Sequence, residues 1–69
     1  MNKEIPAQVK ESLYNLAYER ELLGLSREEL QRATGVRADI IRAYEEGKGS
    51  PTRSKYNKLA DFFGWEQWQ

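Results

Sequence analysis

The sequence predicts an all-α domain of four to five helices that occupies residues 1–69, with a core between residues 6 and 64. Three observations support this fold class. Apolar residues recur at three- and four-residue steps in four segments, a glycine ends each segment, and nowhere do apolar and polar residues alternate as in a strand. No repeat or linker divides the 69 residues, and a chain of this length has room for one small core.

The first predicted helix runs from about Pro6 to Leu23, and Gly24 ends it. Proline is favoured in the first turn of a helix. Apolar side chains form two stripes along this segment: Val9, Leu13, Leu16 and Ala17 on one face, and Tyr14, Tyr18 and Leu22 on another. We therefore expect two neighbouring elements to pack against this helix.

Two short helical segments follow, and a glycine joins them. Ser26 is a candidate N-cap and Glu29 completes a capping box, so a helix begins at about Arg27. Gly35 supplies the positive φ of a sharp turn, and the next helix spans about residues 38–46. Two helices joined in this way form a helix-turn-helix, which presents its second helix to the major groove of DNA.

The last predicted helix opens at Pro51-Thr52, after the loop KGSP, and ends at Gly64. Thr52 is its candidate N-cap. Its buried face is predicted to contain Tyr56, Leu59, Ala60 and Phe63. Residues 65–69 are too few to form a stable helix unless they pack against the rest of the domain.

The composition excludes several classes of function. The chain has no cysteine and no histidine, so disulfides, thiolate or imidazole metal ligands and a histidine base are absent. We therefore predict no metal, no cofactor and no enzymatic activity. No apolar run approaches the roughly 18 residues of a membrane span, and the first residues lack the apolar core of a signal peptide. These features predict a cytoplasmic protein with no membrane partner.

Charge is unevenly distributed, although 11 basic and 11 acidic residues leave a net charge of zero. Residues 37–58 contain six basic and three acidic side chains and so carry a net charge of +3. This segment includes the second helix of the motif and the loop after it. We therefore expect this segment to contact the phosphate backbone of a nucleic acid.

The motif and its flanks resemble the XRE or lambda-repressor-like family of helix-turn-helix domains. The family pattern is LGLSQEEL, GVS, an isoleucine, a bulky residue and ExGxxxP; this sequence has LGLSREEL, GVR, Ile41, Tyr44 and EEGKGSP without a gap. The resemblance extends from about residue 9 to residue 64. It implies a five-helix, DNA-binding regulator, usually dimeric on a palindromic operator. It also implies a buried ion pair between Arg20 and Glu45, for which the alternative is two unrelated, solvated charges.

The resemblance implies a DNA-binding surface as well. Five residues in and just before the second motif helix are expected to face the bases: Arg37, Ala38, Asp39, Arg42 and Ala43. Six others are expected to lie along the phosphates: Arg27, Lys48, Ser50, Thr52, Arg53 and Lys55. Arginine can pair with guanine, aspartate with cytosine, and alanine can contact a thymine methyl. Arg37 replaces the serine N-cap usual in the family, which costs about 1 kcal/mol if no other group caps the helix.

Aromatic residues cluster at the C-terminal end of the sequence. Phe62, Trp65 and Trp68 are candidates for a homodimer contact, because the C-terminal region commonly supplies that contact in the family and large exposed aromatics mark interfaces. The alternative is that these rings close the core against the first helix, and the sequence favours it for Phe63 and Trp65.

The sequence predicts a DNA-binding transcriptional regulator, a phage-type or small bacterial repressor that recognises its operator with residues 38–46. Its expected partner is double-stranded DNA, bound as a homodimer. The alternative is a protein-interaction module on the same fold, such as an antitoxin, an antirepressor or an adaptor, with weak or no DNA binding. Zero net charge, Asp39 and the alanines of the base-facing set motivate this alternative.

Overall fold

A computed structural model describes residues 5–69, and this part of the chain forms five helices and no strand. The helices are α1 (Ala7–Tyr14), α2 (Leu16–Leu22), α3 (Arg27–Thr34), α4 (Ala38–Glu45) and α5 (Arg53–Phe63). The predicted all-α fold class is confirmed. The helices α3 and α4 are the helix-turn-helix.

Asn15 divides the predicted first helix, so the expectation of one helix over residues 6–23 is wrong. The backbone of Asn15 leaves helical geometry, with φ −96° and ψ 6°. Its side-chain Nδ2 donates a hydrogen bond of 3.2 Å to the carbonyl oxygen of Glu11, which also accepts from the Asn15 backbone N–H. Asparagine disturbs helices through such bonds. The chain continues as α2 because Glu19 N–H donates to the Asn15 carbonyl.

All five helices contribute to the core: α4 packs against α1, α2 and α3, and α5 packs against α3. Ten apolar residues are buried in it: Val9, Leu13, Leu16, Leu30, Val36, Ile41, Tyr44, Tyr56, Leu59 and Ala60. Burial of a large apolar side chain contributes about 1.5–3 kcal/mol. Val9, Leu13 and Leu16 of the first apolar stripe are thus part of this core, whereas Ala17 is half-buried.

The second stripe, Tyr14, Tyr18 and Leu22, does not pack against a neighbouring element. All three side chains are exposed, and the expectation that they would pack is wrong. The helix α4 packs against both α1 and α2, and among residues 5–69 no element covers the face that carries these three residues. We call these three residues the outer stripe.

Residues 65–69 form no helix, yet they pack against the domain. Gly64 ends α5 with a left-handed φ of 79°, and the N–H of Trp65 donates to the Ala60 carbonyl at 2.9 Å. The reversed chain is then held by Asn57, whose Oδ1 accepts from Trp68 N–H at 2.7 Å and whose Nδ2 donates to the Trp68 carbonyl at 3.1 Å.

Candidate nucleic-acid interface

The helix α3 begins at a capping box, as the sequence predicts. Ser26 Oγ accepts a hydrogen bond of 3.0 Å from the backbone N–H of Glu29, and Glu29 Oε1 accepts one of 2.8 Å from the N–H of Ser26. The bond from the Ser26 backbone N–H to the Glu29 carboxylate, followed by a smaller contribution of the Ser26 side chain, lowers the pKa of Glu29 from its ordinary value. The pair satisfies two backbone donors that a helix start otherwise leaves unpaired.

The turn between α3 and α4 depends on a glycine and on a threonine. Gly35 has φ 83°, in the left-handed region that favours glycine. Thr34 Oγ1 donates to the Leu30 carbonyl at 2.8 Å and accepts from Val36 N–H at 3.2 Å. Val36 is buried in the core, and Thr34 Oγ1 satisfies its backbone N–H there.

A side chain of α3 caps the start of α4. Gln31 Oε1 accepts a hydrogen bond of 2.8 Å from the backbone N–H of Ala38, whereas Arg37 at the N-cap position makes no capping bond. Gln31 lies seven residues before the group that it caps. The missing serine N-cap is therefore replaced by a contact that also fixes α4 relative to α3.

A network of two arginines and one glutamate ties α2, α3 and α4 together. Arg20 Nε lies 2.7 Å from Glu45 Oε2, and Arg27 Nε lies 2.8 Å from Glu45 Oε1. Arg20 Nη1 also donates to the Leu25 carbonyl at 2.8 Å. The side chain of Glu45 is only 4% exposed, and its hydrogen bond raises the pKa of Arg20 while burial opposes that change. Each charge in this network is compensated, as burial requires.

The outward face of α4 presents two arginines, each beside a carboxylate. Arg37 Nη2 lies 3.1 Å from Asp39 Oδ2, and Arg42 Nε lies 3.1 Å from Glu46 Oε2. Lys48 Nζ lies 3.6 Å from the other oxygen of Glu46. The hydrogen bond from Arg42 contributes most to lowering the pKa of Glu46. These pairs are solvent-exposed, and such pairs are weak.

A shallow groove of about 360 Å³ separates α4 from the start of α5. Its lining contains residues of α4, the following loop and the first turn of α5: Asp39, Ile40, Ala43, Tyr44, Gly49, Ser50, Thr52 and Lys55. The groove brings together five residues of the predicted DNA-binding set. Gly49 lies beside Ala43 of α4 and has a left-handed φ of 77°.

The start of α5 carries three residues of the predicted DNA-binding set: Thr52, Arg53 and Lys55. Thr52 Oγ1 accepts a hydrogen bond of 3.2 Å from the N–H of Lys55, so Thr52 is the N-cap of α5, as the sequence predicts. The guanidinium of Arg53 lies 5.7 Å from the centre of the Trp68 ring, in a cation–π contact. Arg53 is thus tied to the C-terminal segment, whereas Thr52 and Lys55 line the groove.

The candidate dimer residues differ in how they are packed. Trp65 stacks on Phe63 with ring centres 5.0 Å apart, and its Nε1 donates to Glu19 Oε1 at 3.1 Å. Trp68 contacts Tyr56 edge to face at 6.1 Å. Both tryptophans therefore pack within their own chain. Phe62 is the exposed member of the set.

The sequence analysis did not predict three contacts of this surface. The capping bond of Gln31 and the bond from Arg27 to Glu45 join residues seven and eighteen positions apart, and no local signal marks such contacts. The pair of Arg42 and Glu46 has the i, i+4 spacing of a helix pair. The sequence therefore contained a signal for that third contact.

The comparison with protein families agrees with this geometry. The family model described as Helix-turn-helix matches residues 16–66. The chain belongs to the XRE family of helix-turn-helix domains. The match covers α2 to α5 and confirms the family resemblance of the sequence. No curated protein and no solved structure matches the chain.

Membership of the XRE family makes the chain a helix-turn-helix regulator that binds DNA. Within residues 5–69 of this XRE-family domain, no helix is long and apolar enough to cross a membrane. In the same range, no three acidic side chains are grouped so that they can hold a metal ion.

Proposed function

We propose that this XRE-family domain is a sequence-specific transcriptional repressor that inserts α4 into the major groove of double-stranded DNA. The observation that carries the proposal is the position of α4 between two helix starts. Glu45 of α4 contacts Arg27 at the start of α3, and residues of α4 and of the start of α5 line one groove. Helix starts favour phosphate through their free N–H groups and their dipole.

The base-facing role falls on the outward residues of α4. Arg37 and Arg42 are exposed, and Ala38 and Ala43 are half-buried between them and the rest of the domain. Short alanine side chains let the helix approach the base edges, and one bidentate arginine contact to guanine discriminates by about 1–3 kcal/mol. We expect Arg42 to supply most of the discrimination, because it projects from the middle of α4.

The phosphate-binding role falls on residues around α4. Arg27 keeps its two terminal nitrogens available while its Nε is bound to Glu45, so the side chain is already oriented before DNA arrives. A pre-oriented arginine loses less conformational entropy on binding. Lys48, Ser50, Thr52, Arg53 and Lys55 complete the proposed phosphate set.

Binding of this domain is expected to be steeply salt-dependent and of modest strength for one copy. Arg37, Arg42 and Lys48 each have a carboxylate partner that they must release to bind DNA. The loss of these contacts offsets part of the attraction between the side chains and the phosphates. Two copies on a palindromic operator in the cytoplasm would restore affinity through joint binding. The slope of log affinity against log salt is expected to be about 0.9 per phosphate contacted.

The proposal is tested by fluorescence anisotropy with duplexes selected from a random pool and with unselected duplexes. Arg42→Glu is expected to weaken binding to the selected duplex about 100-fold, the size of losing one base contact. Arg32→Glu, the same charge change in the last turn of α3, serves as the matched control. Its expected effect is less than about fivefold, because screened charges act weakly at a distance. Sequence-specific binding retained by Arg42→Glu would contradict the assignment of α4.

A protein-interaction module remains the second candidate, and one observation favours it. Both outward arginines of α4 already have carboxylate partners in the same chain. An antitoxin, antirepressor or adaptor would use this face for protein contacts. Absence of duplex binding at low salt, with a folded protein, supports this candidate over the repressor.

A further inference from the structure

A cavity of about 270 Å³ lies between α1, the end of α4 and the loop that follows α4. Its apolar wall is formed by Ile5, Leu13, Tyr14, Tyr44 and Pro51. Ligand sites in proteins are concave and largely apolar, with volumes of about 300–1,000 Å³ for drug-sized molecules. The size and the lining of this cavity therefore suit the apolar body of a smaller molecule.

Two lysines from different elements line the same cavity. Lys10 belongs to α1 and Lys48 to the loop after α4. Within residues 5–69, Lys10 makes no ion pair. The Nζ atom of Lys48 lies 3.6 Å from Glu46 Oε1, but its side chain is 73% exposed, and such a contact is given up at little cost. Both ammonium groups are therefore available to an anion.

The acidic member of the lining does not oppose an anion. Among the described residues that line the cavity, Glu45 alone is acidic. Its two carboxylate oxygens lie 2.7 Å from Arg20 Nε and 2.8 Å from Arg27 Nε, and its side chain is 4% exposed. Because two arginines compensate its charge, Glu45 is not available to bind a cationic ligand.

We propose that the cavity binds a small amphipathic carboxylate, with its apolar chain against the apolar wall and its carboxylate between Lys10 and Lys48. The methylene stems of both lysines can cover part of the chain while their ammonium groups stay at the rim. A neutral alcohol of the same length gains only the apolar contacts, and an alkylammonium meets two like charges. The ligand also covers part of Tyr14, whose side chain is otherwise 84% exposed.

The cavity shares a wall with the groove beside α4. Tyr44 and Gly49 line both of them, and Lys48 of the cavity belongs to the proposed phosphate set. A carboxylate that holds Lys48 in the cavity withdraws it from DNA. Ligand and DNA are therefore expected to weaken each other's binding by the same factor. This regulatory link rests on the proposed function, whereas occupancy of the cavity does not.

An NMR titration of the isotope-labelled full chain with octanoate, in the absence of DNA, tests the site. We expect a dissociation constant on the order of 0.1–1 mM, as for a ligand of about ten heavy atoms. Chemical-shift changes are expected to concentrate at residues 10–14 and 44–51. 1-Octanol is expected to bind about tenfold more weakly, and octylammonium is expected to cause no saturable change.

Substitutions separate the charged and apolar parts of the site. Lys10→Met and Lys48→Met are each expected to weaken octanoate binding about threefold and to leave 1-octanol binding unchanged, because an apolar stem remains. Lys58→Met, the same charge loss on α5 outside the cavity, is the matched control. Tyr14→Ser is expected to weaken both ligands about fivefold. Tyr18→Ser, in the same outer stripe but outside the cavity lining, is expected to change neither.

The regulatory link is tested by anisotropy with the selected duplex. Saturating octanoate is expected to weaken duplex binding about fivefold, the size of losing one exposed charge contact. The effect is expected to vanish in Lys48→Met, which has already lost that contact. Sodium acetate at the same concentration controls for ionic strength.

The outcomes distinguish the site from the proposed function. No saturable octanoate binding by a chain that binds duplex would overturn the site and leave the DNA-binding role intact. Equal affinity for octanoate and 1-octanol, or shifts spread beyond the two ranges, would also overturn it. Octanoate binding without an effect on duplex affinity would remove the regulatory link. If the chain binds octanoate but no duplex at low salt, the site stands and the proposed function fails.

Discussion

The inner and outer faces of α4 both carry pairs of arginine and carboxylate, but the two sets differ in burial. Glu45 on the inner face has a side chain 4% exposed and contacts two arginines from other helices. Glu46, the next residue, is 40% exposed and contacts Arg42 and Lys48 close to it in sequence.

This comparison separates a structural role from an exchangeable one. A buried carboxylate cannot lose its partner without a large cost, because no water replaces the lost contact. An exposed carboxylate can release its arginine to DNA, because water solvates both groups. The same chemistry therefore holds α4 in place on one face and leaves it available on the other.

The largest expected effect comes from breaking the buried network of Arg20, Arg27 and Glu45. Arg20→Ala removes one of two partners of Glu45, and we expect the free energy of unfolding to fall by about 3 kcal/mol, near the lower end for a broken buried pair because Arg27 remains. Urea denaturation measures the change. The double variant Arg20→Met with Glu45→Leu, which removes the buried charges, is expected to recover much of the loss. An unchanged midpoint in Arg20→Ala would contradict a structural role for the pair.

Loss of the cap at the start of α4 is expected to have an intermediate effect. Gln31→Ala leaves the N–H of Ala38 without its acceptor, and we expect a loss of about 1 kcal/mol in the free energy of unfolding, the usual effect of a removed N-cap. Gln31→Glu keeps an acceptor oxygen near a helix start and is expected to retain stability. Equal stability of the alanine and glutamate variants would show that the bond contributes nothing.

A smaller effect is expected on the outer face. Glu46→Gln frees Arg42 and Lys48 and removes a negative charge beside the proposed DNA surface, so we expect duplex binding about threefold tighter, with no loss of stability. Anisotropy titration measures the affinity, and Glu11→Gln on α1 is the matched control. Weaker binding by Glu46→Gln, or an equal gain in the control, would contradict the exchangeable role.

The smallest effect is expected from pH at the start of α3. The pKa of Glu29 is lowered by its bonds to Ser26, so its carboxylate stabilises the fold above its ordinary value of 4.5 and loses that effect as pH falls through the lowered pKa. Glu29→Ala is therefore expected to be less stable than the wild type near neutral pH. This difference should shrink well below pH 4.5, measured by thermal unfolding beside Glu28→Ala as control. A difference independent of pH would rule out the capping carboxylate as its cause.

Sequence pattern predicted the local parts of the fold well. The capping box at Ser26, the turn at Gly35 and the N-cap at Thr52 all follow from contacts within four residues, and all are present. The break at Asn15 was missed because asparagine occurs on exposed helix faces without breaking the helix. The outer stripe was assigned to packing because periodicity groups apolar residues on a face without showing whether a neighbour covers it.

The amino-acid sequence by itself determined which segments are helical, where α3, α4 and α5 begin, and the family to which the domain belongs. Only the tertiary structure decided that Arg27 also contacts Glu45, that Gln31 caps α4, that Trp65 and Trp68 pack within the chain and that Tyr14 and Tyr18 stay in water. Helix starts and turns depend on bonds between near neighbours. The partners of a side chain across the core depend instead on how the helices are arranged, which no local pattern contains.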